Sequence, residues 1–337
     1  MPLPEKALIA RIRSLTQTRR SGAQFVAGIG DDCAVLRPEP AEDFLVTTDF
    51  SLEGTHFRRE WHPAEAVGHR CLARGLSDIA AMGGQPMAAF LSLALPSALP
   101  QAWVDGFMRG LLKLARKHAV VLAGGDTTQS PAGVAADIIV VGSVPRGKAI
   151  LRSGARPGDG IYISGVLGGS AAAVVEMEAH PRRKLNPKDY LRHFHPEPRV
   201  ELGRFLRERR LATAMIDTSD GLSTDLTHIC GESGVGAELE AGFVPRARVG
   251  RPARKVEFDL ALHGGEDYEL LFTVPASQRV PAQIGRVSIT QIGRITRGKK
   301  IKIRNEGKLE ELMVRGWEYF RESESRKSSF QKAGARS

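Results

Sequence analysis

Aspartates stand beside Gly, Ser or Thr at five places: Gly28-Ile29-Gly30-Asp31-Asp32, Thr47-Thr48-Asp49, Leu76-Ser77-Asp78, Gly124-Gly125-Asp126-Thr127-Thr128 and Asp217-Thr218-Ser219-Asp220-Gly221. Several follow short apolar runs that read as buried strands, so the carboxylates are expected to emerge together at strand ends. Hard oxygen ligands beside glycines that expose backbone are what Mg²⁺-bound polyphosphate requires. Packing several carboxylates together is unfavourable unless a cation or proton intervenes. The pattern therefore points to a nucleotide-using enzyme.

Each string also has a plainer explanation. Gly and Asp are ordinary turn formers, Thr47-Thr48-Asp49 can cap the next segment, and an N-cap at Asp217–Gly221 needs only one of the two acids. The conjunction of all five carries the weight. The paired glycines before Asp126 would let backbone approach a phosphate. Gly264-Gly265-Glu266-Asp267-Tyr268-Glu269 reads either as a tight turn before a strand or as a device that sets Glu266 at the mouth of a site. His56 and Trp317 are further candidates, the latter as an anchoring aromatic or as a surface for a flat heterocycle. The chain has no Walker G-x-x-x-x-G-K-[ST] loop, no kinase H-R-D or D-F-G, no G-x-S-x-G and no H-E-x-x-H.

The elements that must position these residues form two α/β halves meeting near residue 150. The first has a strand over 44–48 ending at Asp49 and a helix from Pro63 to Met82 stopped by Gly83-Gly84. A strand over 87–95, a helix over 101–118, a strand over 119–122 and a strand over 137–144 complete it. On the first helix Arg70, Arg74, Ser77 and Asp78 share one face and Val67, Cys71, Leu72, Leu76 and Ile79 largely another. Taken alone, that polar stripe fits a surface helix better than a site. A turn-rich junction over 152–160 leads to a strand over 161–164 and a helix to about Met177. A helix over 199–210, a strand over 213–216, a helix opened by the Asp217 string and a strand over 268–274 complete the second half. The expected domains are 1–148, 149–320 and a disordered basic tail, 321–337.

At 337 residues the chain can hold two domains. No apolar run approaches the roughly 20 residues of a membrane span, and the N-terminus lacks the apolar stretch of a signal peptide. Cys33, Cys71 and Cys230 are odd in number and widely spaced, which fits free thiols in a cytoplasmic protein. The net charge is +10. Its clusters, 294–304 and 326–336, lack interleaved aromatics and read as a solvated strand and a tail rather than a nucleic-acid surface.

Taken in order, Gly28–Ala34, Thr47–Asp49, Leu76–Gly83, Gly124–Thr128, Leu151–Asp159, Asp217–Leu222 and Gly264–Leu270 resemble the thiamine-monophosphate kinase family. That family lies in a superfamily with aminoimidazole ribonucleotide synthetase and selenophosphate synthetase. No Cys-Lys or Cys-Gly-rich loop precedes Gly28, which argues against the selenium enzyme. The resemblance implies a two-domain α/β (α+β) fold: an N-terminal mixed sheet with helices that dimerises through its sheet, and a C-terminal α/β layer domain. It implies ATP-dependent phosphorylation of thiamine monophosphate to thiamine diphosphate by a homodimer. It assigns Asp32, Thr47, Thr48, Asp49, Asp78, Asp126, Asp217 and Asp220 to several Mg²⁺ ions, and Gly125, Asp126, Arg152 and Ser219 to ATP. His56, Asp78, Glu266 and Trp317 would contact the thiamine phosphate. The rivals are a ribonucleotide amide cyclo-ligase-like enzyme of the same superfamily and a non-catalytic nucleotide- or nucleic-acid-binding protein.

Overall fold

The helix Ala64–Ala81 is the hub of the molecule. Ala is its commonest residue, Pro63 precedes it in an extended conformation, and Met82 and the left-handed Gly83 end it. All of its residues except Ala64, Glu65 and Asp78 are buried, including Arg70, Arg74 and Ser77. The polar stripe thus faces the other half of the protein rather than solvent, contrary to the surface-helix expectation.

In the computed structural model, the residues described are 39–317, together with Leu3, Glu5–Thr16, Phe25–Ala27 and Val35–Leu36. Asp32 and the rest of its string, and the tail beyond Trp317, lie outside the described residues.

Four strands form the amino-terminal sheet, in the spatial order Glu42–Leu52, Ala135–Pro145, Gln85–Pro96, Val121–Ser130. The last pair is parallel and the others antiparallel, so the sheet is mixed. Helices Ala64–Ala81 and Gln101–Lys117 cover one face. They approach closely because Gly68 and Gly110 carry no side chain; a Cβ there would stand 1.9 Å from Phe107 O and 1.8 Å from Glu65 O. The opposite face stays open, with Phe44, Val46 and Phe50 exposed.

The second sheet has eight strands. Its path runs Lys308–Glu311, Ile301–Asn305, Gly236–Glu240, Val287–Thr296, Gly160–Ser164, Leu270–Val274, Ala214–Asp217, and the eighth strand, Gln283–Ile284, pairs with Val287–Thr296 off this path. The buried cluster of Ala80, Ala81, Ile150, Leu202, Leu206, Met215, Leu270 and Phe272 joins the end of the hub helix to this sheet. Burial of apolar surface at the junction, at about 25 cal/mol per Å², fixes the two halves against each other. In the basic 294–304 segment, Arg294 and Arg304 pair with Glu238, and Lys300 with Glu311. Among the described residues no helix is long and apolar enough to cross a membrane.

Two sequence expectations need correction. Asp49 lies inside a strand rather than at its end, because Glu42–Leu52 pairs along its whole length with Ala135–Pro145. Gly124-Gly125-Asp126 likewise lies within the strand Val121–Ser130, not in a turn after it. The need for Gly125 is local packing. Its φ is +147° and a Cβ would sit 1.9 Å from Leu91 O in the neighbouring strand, beside a register shift at Ala89/Phe90. We expect Gly125→Ala to destabilise the protein by about 2 kcal/mol or more. The urea midpoint reports this, and an unchanged midpoint would contradict it.

Candidate functional site

A cleft of about 880 Å³ opens where the two halves meet. The amino-terminal sheet and hub helix supply Thr48, Asp49, Phe50, His56, Arg74 and Asp78 to its wall. The second half supplies Asp217, Ser219, Asp220, Glu266, Tyr268 and, from the chain's return, Trp317. Local geometry explains each placement. Asp49 projects from the edge strand toward Asp78 on the hub helix. Asp217 ends its strand and accepts from Ser77 Oγ at 2.6 Å, across the two halves. The next helix, Leu222–Ser233, begins at Gly221 with no side-chain cap, so Asp217 and Asp220 are not spent on capping. Trp317 N–H donates to Asp220 O at 3.0 Å, which returns the chain to the cleft.

Electrostatics divides the cleft into two ends. At one end Asp49, Asp78 and Asp217 are all pushed up, first by burial. For Asp49 and Asp217 the charge of Asp78 adds to the effect, to about 7 and about 8. Burial also raises Asp220, with His228 and Arg152 opposing. Thr47 Oγ1 donates to Asp78 Oδ2. Arg152 is exposed, yet its charge acts on Asp78, Asp217 and Asp220 together.

At the other end Glu266 is grasped by Arg70 and Arg74. Burial alone would raise this carboxyl, but the two guanidiniums hold it well below the usual carboxylate range. His56 is lowered to about 4, first by burial and then by Arg74. Its Nδ1 accepts the Leu52 N–H at 3.0 Å, so the neutral ring carries its proton on Nε2.

Not every sequence candidate converges. Thr48 lines the cleft but gives its hydroxyl to Asp137 Oδ1 at 2.6 Å on the open sheet face. Gly125 and Asp126 are exposed on the far edge strand, three strand spacings from Asp49, or roughly 14 Å. Asp126 Oδ1 accepts the Thr127 N–H. Ser92 pairs in register with both Asp137 and Asp126, so the two acids lie in one row across the sheet. Asp137 escaped the sequence reading because it opens an otherwise apolar strand. Arg70 and Arg74 were visible as a stripe, but nothing in the sequence ties them to Glu266.

A divalent cation fits the acidic end. Asp225, buried behind Asp217 and Asp220, is pushed well up by burial and by those two acids, and its Oδ2 has no hydrogen-bond partner among the described residues. Among the described residues no three His, Cys, Asp or Glu side chains are grouped so that they could hold a metal ion by themselves, so phosphate and water would have to complete the shell. Mg²⁺ characteristically takes one or two carboxylates and completes its shell with water and substrate phosphates.

Comparison with known proteins places the chain. Residues 30–144 match the AIR synthase related protein N-terminal domain, and residues 156–305 the corresponding C-terminal domain. The chain is 38% identical over 307 residues to the thiamine-monophosphate kinase of Escherichia coli (strain K12), covering 88% of this chain and 91% of that protein. The chain belongs to the thiamine-monophosphate kinase family. The Bacillus subtilis (strain 168) member is 32% identical over 300 residues, covering 87% of this chain and 92% of that one. The solved family member from Stenotrophomonas maltophilia K279a superposes with a TM-score of 0.77 at 38% identity, over 91% of this chain and 99% of that chain. AaThiL complexed with AMPPCP and TMP superposes at 0.74 with 28% identity, over 94% and 97%. The hydrogenase maturation protein HypE in complex with ATP shares the fold alone, at 17% identity and TM-score 0.71 over 92% of this chain and 94% of that chain.

The raised carboxyls would make the binding of a cation at this end depend on pH. Folded acids with elevated pKa bind protons that the unfolded chain has released. In the cation-free protein their contribution to stability is therefore present below the ordinary 3.8 and lost as pH rises through about 7 to 8. A cation competes with those protons. Mg²⁺ at a hundred times its Kd would add about 2.7 kcal/mol, and we expect most of that gain at pH 8 and little at pH 5. Thermal melts with Mg²⁺ and with chelator at both pH values measure it; equal gains would contradict the cation assignment.

Proposed function

We propose that this protein transfers the γ-phosphoryl group of ATP to thiamine monophosphate, giving thiamine diphosphate and ADP. The observation that carries this reading is the single cleft with an acidic end for polyphosphate and a Glu266–His56–Trp317 end for a cationic heterocycle. The acceptor is already a phosphate monoester with a second pKa near 6, so at pH 7 its oxygen is mostly ionised and no general base is required. Transfer is direct and in line, without a phosphoenzyme, and the protein's work is to position two polyanions.

Asp49, Asp78, Asp217 and Asp220 would hold Mg²⁺ with Thr47 and Thr48, joined by Asp126 and Asp32. A divalent ion held by these residues would supply charge neutralisation of the phosphates. Gly125, Asp126, Arg152 and Ser219 would contact the nucleotide. On the acceptor side, Glu266 offers a carboxylate whose ionised form Arg70 and Arg74 favour, His56 an Nε2–H donor, Trp317 a stacking surface and Asp78 a position beside the phosphate. The amino-terminal domain, 1–148, binds ATP and metal, and the second, 149–320, completes both sites.

The enzyme is cytoplasmic and a homodimer through the open sheet face. Phe44, Val46 and Phe50 supply the apolar surface that a second copy would cover. Such a copy would also enclose Gly125 and Asp126, which one chain leaves apart from the cleft acids.

A coupled ADP-release assay with ATP, Mg²⁺ and thiamine monophosphate tests the proposal, with unphosphorylated thiamine and aminoimidazole precursors run in parallel. Equal yields of ADP and thiamine diphosphate, with the monophosphate alone, are expected; turnover of another acceptor in its place would refute it. Asp220→Asn should lower kcat by about two orders of magnitude or more while the fold persists. Trp317→Ala should mainly raise the KM for thiamine monophosphate, and an unchanged KM would remove Trp317 from the acceptor site.

A further inference from the structure

We propose that Arg70 and Arg74 are positioning residues for the acceptor. Together they form a fork on the hub helix that sets the Glu266 carboxylate in the one orientation able to receive the cationic part of the substrate. The proposal rests on the kinase reading above and adds residues that contribute through another side chain.

The two arginines stand four residues apart and so project from the same side of the helix. Each takes one oxygen of the same carboxylate: Arg70 Nη2 reaches Glu266 Oε2 at 2.7 Å, and Arg74 Nη2 reaches Oε1. Both guanidiniums are anchored from behind. Arg70 Nη1 donates to His193 O, and Arg74 Nη1 to Phe50 O at 3.0 Å. His193 is itself fixed, with Nδ1 2.9 Å from Ser170 Oγ and Nε2 2.8 Å from His62 Nε2. Burial lowers both of these rings, which leaves the two guanidiniums as the groups bonded to Glu266. Arg70, His62 and His193 are absent from the cleft wall, whereas Arg74 and Glu266 form part of it. Arg70 therefore acts on the acceptor from behind the wall, and Glu266 is the cleft side chain it holds directly.

The backbone at Glu266 shows why such a fork is needed. Its φ is +64°, a left-handed conformation that costs a residue with a side chain free energy and persists only where its surroundings over-determine it. The Glu266 N–H donates to Ser219 O at 2.8 Å, which ties the same turn to the Asp217–Gly221 string. The fork grips from the first half of the protein and Glu266 comes from the second. The acceptor carboxylate is thus presented only when the two halves are docked, with the acids already assembled beside it.

The test is a double-mutant cycle on the full-length enzyme, comparing Arg70→Gln, Glu266→Gln and the double variant, with KM for each substrate and kcat measured separately. Arg70→Gln should raise the KM for thiamine monophosphate by about tenfold and leave the KM for ATP and kcat within about twofold, the signature of lost acceptor binding. In the Glu266→Gln background the same change should alter that KM by less than about twofold, because the carboxylate the fork holds has gone. Additive losses in the double variant, or an equal rise in the KM for ATP, would overturn the proposal. Arg70→Lys is measured beside them, because removing one partner of a buried pair can unfold a protein. It keeps the charge without the fork and should give an intermediate KM for the acceptor; a wild-type value would also overturn the proposal. Failure of the unaltered enzyme to turn over thiamine monophosphate would instead refute the kinase reading, and the acceptor role of the fork with it.

Discussion

Mutual repulsion among desolvated carboxylates is the constraint on which the rest of this structure depends. Asp49, Asp78 and Asp217 come from an edge strand, a helix and the end of a strand in the other half, yet they share one poorly solvated place. No fold gains stability by such convergence unless protons or cations compensate it. The surrounding architecture absorbs the cost. Ser77 and Thr47 hydroxyls each donate to one of these acids, and the charges of Arg74 and Arg152 bear on them from the sides. The apolar cluster beneath, with Leu270 and Phe272 at its centre, holds the two halves together despite the repulsion above it.

One helix coordinates these tasks. Within nine residues of Ala64–Ala81, Asp78 serves the acidic end, Ser77 bridges to Asp217, and Arg70 and Arg74 serve Glu266. A rigid helix keeps these groups in fixed register, so the acidic and acceptor ends cannot drift independently. Polyphosphate and a cationic heterocycle call for opposite electrostatics. In the proposed reaction the same helix serves both, with an acid that would meet the phosphates through Mg²⁺ and guanidiniums that hold an anion for the heterocycle.

Much of this was legible in the sequence where chemistry is local. Pro63 and Gly83-Gly84 bracket the hub helix almost to the residue, and the Asp217–Gly221 and Gly264–Glu269 strings do line one cleft. The hidden part depends on distant pairing. The strands bearing Asp49 and Gly125 are longer than propensity indicates, because ladder partners extend them through Thr and Gly. Gly125 reads like a phosphate-approach glycine, and the packing demand that Leu91 of the adjacent strand also places on it is not visible in the sequence. The Arg70–Glu266 contact spans 196 positions, and no local pattern encodes it. Asp126 and Asp49 look equivalent as strings, although the sheet order places them on opposite edges.

The most direct test is the anomalous scattering of Mn²⁺ in crystals grown with a non-hydrolysable ATP analogue and thiamine monophosphate. Metal peaks are expected beside Asp49, Asp78, Asp217 and Asp220, with the acceptor's rings between Glu266 and Trp317 of the same cleft. Metal and nucleotide bound elsewhere, with these acids left unliganded, would contradict the central claim.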